Sequence, residues 1–223
     1  MKIGVIGAGR IGGNAARLFA AAGHDVLLSF SRDPDRLAGQ AAAIGERASS
    51  GSARDAAQFG DVVMLSVPWP SIPDALEQAG PLDGKIVIDT TNQFGPDGAQ
   101  PLPGGITAAQ YNQQRMPGSR LVKSFNTLTS GFQASQAGRT PPGERVVLFL
   151  CGDDEKAKDV VAGLIEDAGF APVDLGGLAD AAPMEAPRRP GSVYGEEYRP
   201  ADARAVAEAL RAGRPIPPTP VYE

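Results

Sequence analysis

At 223 residues, 42% hydrophobic and 21% charged, the chain suits one large domain or one domain with an appendage, and this composition excludes a mainly disordered, collagen-like or coiled-coil protein. Twenty-one basic against 26 acidic residues leave a formal charge of -5, without the basic field that phosphate backbones select, so nucleic acid is not an expected partner. One cysteine, Cys151, and one histidine, His24, exclude an internal disulfide and leave too few soft ligands for a zinc or copper site, so no metal is expected.

In chain order, Lys2 to Ile6 reads as a strand and Ile11 to Ala22 as a helix. Asp25 to Ser29 is the second strand, and a short one passes through Arg47 to Ser49. Val62 to Ser66 is followed by a helix over Ser71 to Ala79 with Ile72, Ala75 and Leu76 inward. Strands follow at Ile86 to Asp89, Leu121 to Ser124 and Val146 to Cys151. The helix Asp154 to Ala168 repeats Val160, Val161, Leu164, Ile165 and Ala168 at helical spacing; Asp153 or Asp154 caps it and Gly169 stops it. Ala171 to Asp174 is the last strand. Short apolar runs alternating with helical stretches predict an α/β protein, a parallel sheet covered by helices.

After Leu175 the texture changes. Gly176-Gly177 and Pro183, Pro187, Pro190 and Pro200 break regular structure until Ala201 to Ala212 resumes helical period. Arg214 to Glu223 carries four prolines and is expected to lie extended over a surface, its own or a partner subunit's. The division expected is residues 1–181 as the main domain and 182–223 as an extension. No apolar stretch approaches the ~20 residues that cross a bilayer. Met1-Lys2 leads straight into the first strand instead of a secretory signal, so a cytoplasmic protein is expected.

Gly7-Ala8-Gly9-Arg10-Ile11-Gly12 fits G-x-G-x-x-G and falls directly between the first strand and the first helix. Gly7 can make the tight turn, Gly9 lets the backbone approach a pyrophosphate, and Gly12 allows close helix-strand packing. The helix amino terminus would attract the anion. At the end of the second strand an Asp or Glu would select NAD by bonding a ribose 2'-hydroxyl. Here the chain reads Leu28-Ser29-Phe30-Ser31-Arg32-Asp33, with a hydroxyl and a guanidinium where a 2'-phosphate would sit and Arg36 one turn on. NADP(H) is favoured; the alternative is a solvated Arg32 paired with Asp33 or Asp35.

Ligands of open α/β sheets lie beyond the carboxyl ends of the strands. Val67-Pro68-Trp69, Thr90-Thr91-Asn92-Gln93 and Ser124-Phe125-Asn126-Thr127 follow later strands, and their amides, hydroxyls and apolar atoms suit a nicotinamide ring. Ordinary turn chemistry explains the same residues equally well. His24 lies on the helix-to-strand return at the opposite edge and reads as structural; Cys151 reads as a small core residue, Arg188-Arg189 as a solvated pair, and Trp69 as core or stacking platform.

The glycine turn, Leu28 to Arg32, Val67-Pro68-Trp69, Val122 to Thr127 and Cys151-Gly152-Asp153-Asp154 together resemble the NADP-dependent coenzyme F420 oxidoreductase family, over residues 1 to about 181. The resemblance implies a Rossmann fold, doubly wound and mostly parallel, a compact C-terminal portion and a homodimer. It also implies hydride transfer between NADPH and a deazaflavin, with 2'-phosphate contacts on Ser31, Arg32 and Arg36 and pyrophosphate contacts on Gly7 to Gly12. Arg10 stands where the family often has Asn, and 182–223 has no strong counterpart. Nicotinamide-side candidates are Val67, Pro68, Trp69, Asn92 and Asn126. No catalytic residue stands out, although water or Thr127 could deliver a proton.

Length supports a flat second ligand, because only ~45 residues remain after the sheet for a substrate domain. A planar ring stacked on the nicotinamide needs mainly positioning. The alternatives are a reductase of free flavin, a ferric complex or a small carbonyl or imine, and a non-catalytic NADP(H)-sensing module that acts on a partner.

Overall fold

A computed structural model describes residues 1–138 and 141–222. Its centre is an eight-stranded sheet. The strands are β1 (Lys2–Ile6), β2 (Asp25–Ser29), β3 (Ala48–Ser50), β4 (Val62–Leu65), β5 (Ile86–Asp89), β8 (Arg120–Lys123), β9 (Val147–Gly152) and β10 (Ala171–Gly176). A two-stranded hairpin, β6 (Phe94–Gly95) and β7 (Gly98–Ala99), stands apart after β5. The helices are α1 (Arg10–Ala21), α2 (Pro34–Ile44), α3 (Ala53–Phe59), α4 (Ile72–Ala79), α5 (Ala108–Arg115), α6 (Ser130–Gln136), α7 (Glu155–Asp167) and α8 (Pro200–Arg211).

Sheet order is β3-β2-β1-β4-β5-β8-β9-β10, with parallel pairs throughout except β8 against β9. The chain leaves β1 toward β2 and β3, then returns to start again at β4. That reversal is the switch point of a Rossmann fold. Strands β1, β4 and β5 are near-continuous apolar runs because helices cover both faces. One core layer joins α1, α2 and α7 to the sheet through Phe19, Leu37 and Val161. The other joins α3, α4, α5 and α8 through Ala56, Ile72, Ala108 and Val206.

The predicted strands and the helices over α1, α4, α7 and α8 are present. Four helices, α2, α3, α5 and α6, have no counterpart among the predicted elements. Each buries only two or three side chains or fewer, and α5 (Ala-Ala-Gln-Tyr-Asn-Gln-Gln-Arg) hides just Ala108, Ala109 and Asn112, so apolar periodicity is faint. Side-chain caps start them instead: Asp33, Ser52, Thr107 and Thr129.

Residues beyond 181 close the same core. Tyr198 is buried edge-on against Phe149 at 5.4 Å, and its carbonyl accepts from Val147 N at 2.9 Å. Glu185, itself buried, accepts from the Ala108 and Ala109 amides at 2.8 Å each and so caps α5 from outside. The proline-rich tail returns to its own chain. Tyr222 donates to Asp202 at 2.7 Å and accepts from Arg199 N at 2.9 Å, with the Arg199 guanidinium 4.2 Å from its ring. No helix among the described residues is long and apolar enough to cross a membrane.

His24 holds Asp167 through Nε2 at 2.9 Å and faces the amino terminus of Met1 through Nδ1 at 3.2 Å, at the amino ends of β1 and β2 and so at the opposite edge of the sheet from the glycine turn. Cys151 is wholly buried in β9, and burial, with Asp174 next, pushes its thiol up. The native protein should therefore resist iodoacetamide at neutral pH and take up one equivalent only when denatured; rapid native labelling by mass spectrometry would contradict this packing.

Candidate active site

The reversal between β1 and β4 opens a cleft of about 680 Å³ beyond their carboxyl ends. The glycine turn forms its floor. Gly7 has φ 104°, and a Cβ there would lie 2.3 Å from the Ser66 carbonyl; one on Gly12 would lie 2.2 Å from the Gly7 carbonyl. These two are fixed by packing. Gly9 is different, since a Cβ there would meet nothing within 4 Å. The fold does not need glycine at position 9, and its bare backbone faces the cleft. Gly9 is also the N-cap of α1, which has no side-chain cap and no acid in its first turn. Its leading amides remain available to an anion.

One wall comes from the end of β2. Phe30 is held at φ 59°, an unusual conformation for a bulky residue, and this kink sets the direction of Ser31. Ser31 Oγ accepts from Arg36 Nη2 at 2.9 Å and from Asp33 N at 3.1 Å. Asp33 is occupied as the cap of α2, accepting from Arg36 N at 2.9 Å. Arg32 is exposed and makes no hydrogen bond or ion pair with any described residue, so the pairing with Asp33 or Asp35 does not form. Two guanidiniums and a hydroxyl thus converge at this end of the cleft.

A second cavity of about 380 Å³ shares Gly9, Val67 and Pro68 with the first and extends over Arg10, Ile11, Trp69, Thr90, Thr91, Asn92 and Phe94. A third opening touches Ala8, Gly9, Arg10, Arg36 and Gln40. Trp69 is buried; its ring stacks on Tyr111 at 5.9 Å and lies 4.8 Å from the Arg115 guanidinium, so the indole is a packed wall. Phe94 is 42% exposed at the mouth of the cavity, with Tyr194 6.4 Å away.

Beneath Thr90 to Asn92 lies a network that the sequence reading missed. Lys123 and Asp89 are each 0% exposed and paired at 3.0 Å. Lys123 also donates to the Thr91 carbonyl. Asp89 Oδ1 accepts from the amide and hydroxyl of Thr91 at 2.9 and 2.7 Å, and Asn112 donates to Asp89 Oδ2 at 2.9 Å. Asn92 Nδ2 bonds the Asn126 carbonyl at 3.0 Å, and Asn126 Nδ2 bonds Met184 O at 2.6 Å. Asn126 therefore braces Asn92 from behind and does not line the cavities; Gly12 and the buried Thr127 do not either. Arg188 pairs with Glu196 and Arg189 bonds carbonyls, so neither is an open anion site.

The wall formed by α4 was also unexpected. Ser71, Asp74 and Gln78 face the larger cleft. Asp74 and Gln78 stand one turn apart, a spacing that identifies a shared helix face but not what it borders.

Breaking a buried ion pair by removing one partner leaves an uncompensated charge and costs about 3–5 kcal/mol. Lys123→Met should lower the denaturant midpoint by that equivalent, whereas an exposed lysine such as Lys156 should tolerate the same change. Equal effects would remove Lys123 from this role.

Residues 2–93 match the family model described as NADP oxidoreductase, coenzyme F420-dependent. A hypothetical protein, SMa0349, from Sinorhizobium meliloti is 34% identical, with 89% of this chain and 95% of that one covered at a TM-score of 0.78. A candidate F420-dependent NADP reductase from Arthrobacter sp. FB24 is 25% identical, covering 81% and 87% at a TM-score of 0.68. Metalloreductase STEAP3 of Rattus norvegicus is 30% identical over 185 residues, which are 83% of this chain; they span only 36% of that relative. The matched span, residues 2–93, holds both the glycine turn and the Ser31-Arg32 pair, so this part of the chain is similar to the coenzyme F420-dependent NADP oxidoreductases.

Proposed function

We propose that the chain is an NADPH-dependent oxidoreductase passing hydride between NADPH and a deazaflavin of the coenzyme F420 kind, with cofactor binding contained in residues 1–181. The observation that carries this reading is the continuous trough from Ser31, Arg32 and Arg36, across the bare Gly9, to Thr90, Thr91 and Asn92. Its two ends have the chemistry of the two ends of the dinucleotide.

Ser31, Arg32 and Arg36 would hold the 2'-phosphate, the first and last already bonded to each other. The amides from Gly9 to Gly12 would hold the pyrophosphate. Ile11, Val67 and Pro68 give an apolar side to the smaller cavity, and Thr90, Thr91 and Asn92 a polar one, braced by Asp89, Lys123 and Asn126. The bound nicotinamide supplies the hydride. The chain's work is to exclude water and fix the approach of the second ring. Phe94, exposed at the cavity mouth, offers that planar ring a stacking face.

A second reading, reduction of a ferric complex, is supported by the likeness to metalloreductase STEAP3. The family likeness supports action as a homodimer, which size-exclusion chromatography with light scattering would test.

Mixing protein, NADPH and oxidised F420 should bleach the deazaflavin absorbance. Turnover with ferric citrate or free flavin but not F420 would move the assignment to those acceptors. A charge-assisted bond to phosphate is worth about 1.5–3 kcal/mol, so Arg32→Ala should weaken NADPH binding roughly tenfold to a hundredfold and leave NADH nearly unchanged. Equal losses would defeat the 2'-phosphate assignment. Gly9→Val should abolish binding of both nucleotides while the melting temperature hardly changes, because the new side chain fills only the cleft.

A further inference from the structure

The wall of the large cleft facing Ser31, Arg32 and Arg36 belongs to α4 and has the opposite character. Ile72, Ala75 and Ala79 bury the inner face of that helix. Asp74 and Gln78 share the outer face, and both line the cleft. Gln78 Nε2 donates to Asp74 Oδ1 at 2.9 Å. Asp74 Oδ2 has no partner among the described residues, so the amide holds the carboxylate with one oxygen free. A carboxylate repels phosphate and accepts hydrogen bonds only. This wall therefore calls for a ligand group that donates.

We propose that Asp74, oriented by Gln78, recognises the 6-amino group of the adenine base of NADPH and makes the site selective for a 6-aminopurine. The inference rests on the NADPH reading above. With the 2'-phosphate on one wall and the pyrophosphate on the floor, the base is the part of the adenosine left for the remaining wall. Its exocyclic amine is a donor, and a 6-oxo base would turn lone pairs toward the carboxylate instead. A site built to bond a donor discriminates strongly against an analogue that lacks it. Arg32, exposed on the facing wall, is free to lie against the flat of the same ring. An acid in the first turn also steadies a helix, but that role is indifferent to which purine is bound.

Isothermal titration of the full chain with NADPH and with its 6-oxo analogue, deamino-NADPH, separates the two roles. The expected result is a tenfold to hundredfold preference for NADPH, the range of a hydrogen bond to a charged group. Asp74→Asn, whose carboxamide can present either an oxygen or an N–H, should keep NADPH binding and bring the two ligands near parity. Equal binding of both by the unaltered chain, or an unchanged preference in Asp74→Asn, would overturn the assignment of Asp74 while leaving the NADPH reading in place. Binding of neither nucleotide would overturn both.

Discussion

The site depends on how little room is left where β1 meets β4. A side chain on Gly7 would strike the Ser66 carbonyl and one on Gly12 would strike Gly7 itself. The first turn can lie this close to the neighbouring strand's exit only because both positions are bare. That closeness puts the amino terminus of α1 between the ends of β2 and β4, so one trough serves both halves of an elongated ligand. Gly9 shows the distinction between folding and function inside one motif. Its neighbours in the motif answer to packing, and it answers to the space above it.

The far end of the trough rests on charge where an apolar floor would have been simpler. Burying Lys123 and Asp89 together is costly unless hydrogen bonds offset it, and here Thr91 and Asn112 bond the carboxylate and the Thr91 carbonyl accepts from the ammonium. What the network achieves is direction. Asp89 grips both the amide and the hydroxyl of Thr91, and Asn92 is held from the other side by Asn126. A segment of loop is thereby held from both sides where it borders the smaller cavity.

The legible part of the site was the local part. Gly7 to Gly12 and Ser31-Arg32 are contiguous, and each sits immediately after a strand whose apolar run is plain. Lys123 was hidden because a lysine at a strand end reads as a solvated charge, and its partner Asp89 lies 34 positions away in the sequence. Asn126 reads in the sequence as a nicotinamide contact, whereas its side chain reaches Asn92 and Met184 instead of the cavity. Helices α3, α5 and α6 escaped because capping by Ser52, Thr107 and Thr129, with tertiary contact, stands in for amphipathic pattern. The outer face of α4 looked like any polar helix surface until the fold set it across from Arg32.

The reversal of β9 sets how the residues that follow it complete the core. Running against β8, it sends Asp153 and Asp154 toward the amino ends of the parallel strands, where Asp154 caps α7 and Asp153 binds Leu178 N at 2.8 Å. The segment then climbs back through Glu185, whose carboxylate caps α5, and Met184, whose carbonyl holds Asn126. Gln93 joins the same segment by donating to Ala186 O at 2.8 Å. The residues after 181 thus brace the loop after β5, the loop after β8 and the start of α5. They bond the loop behind the smaller cavity and leave Phe94 exposed at its mouth.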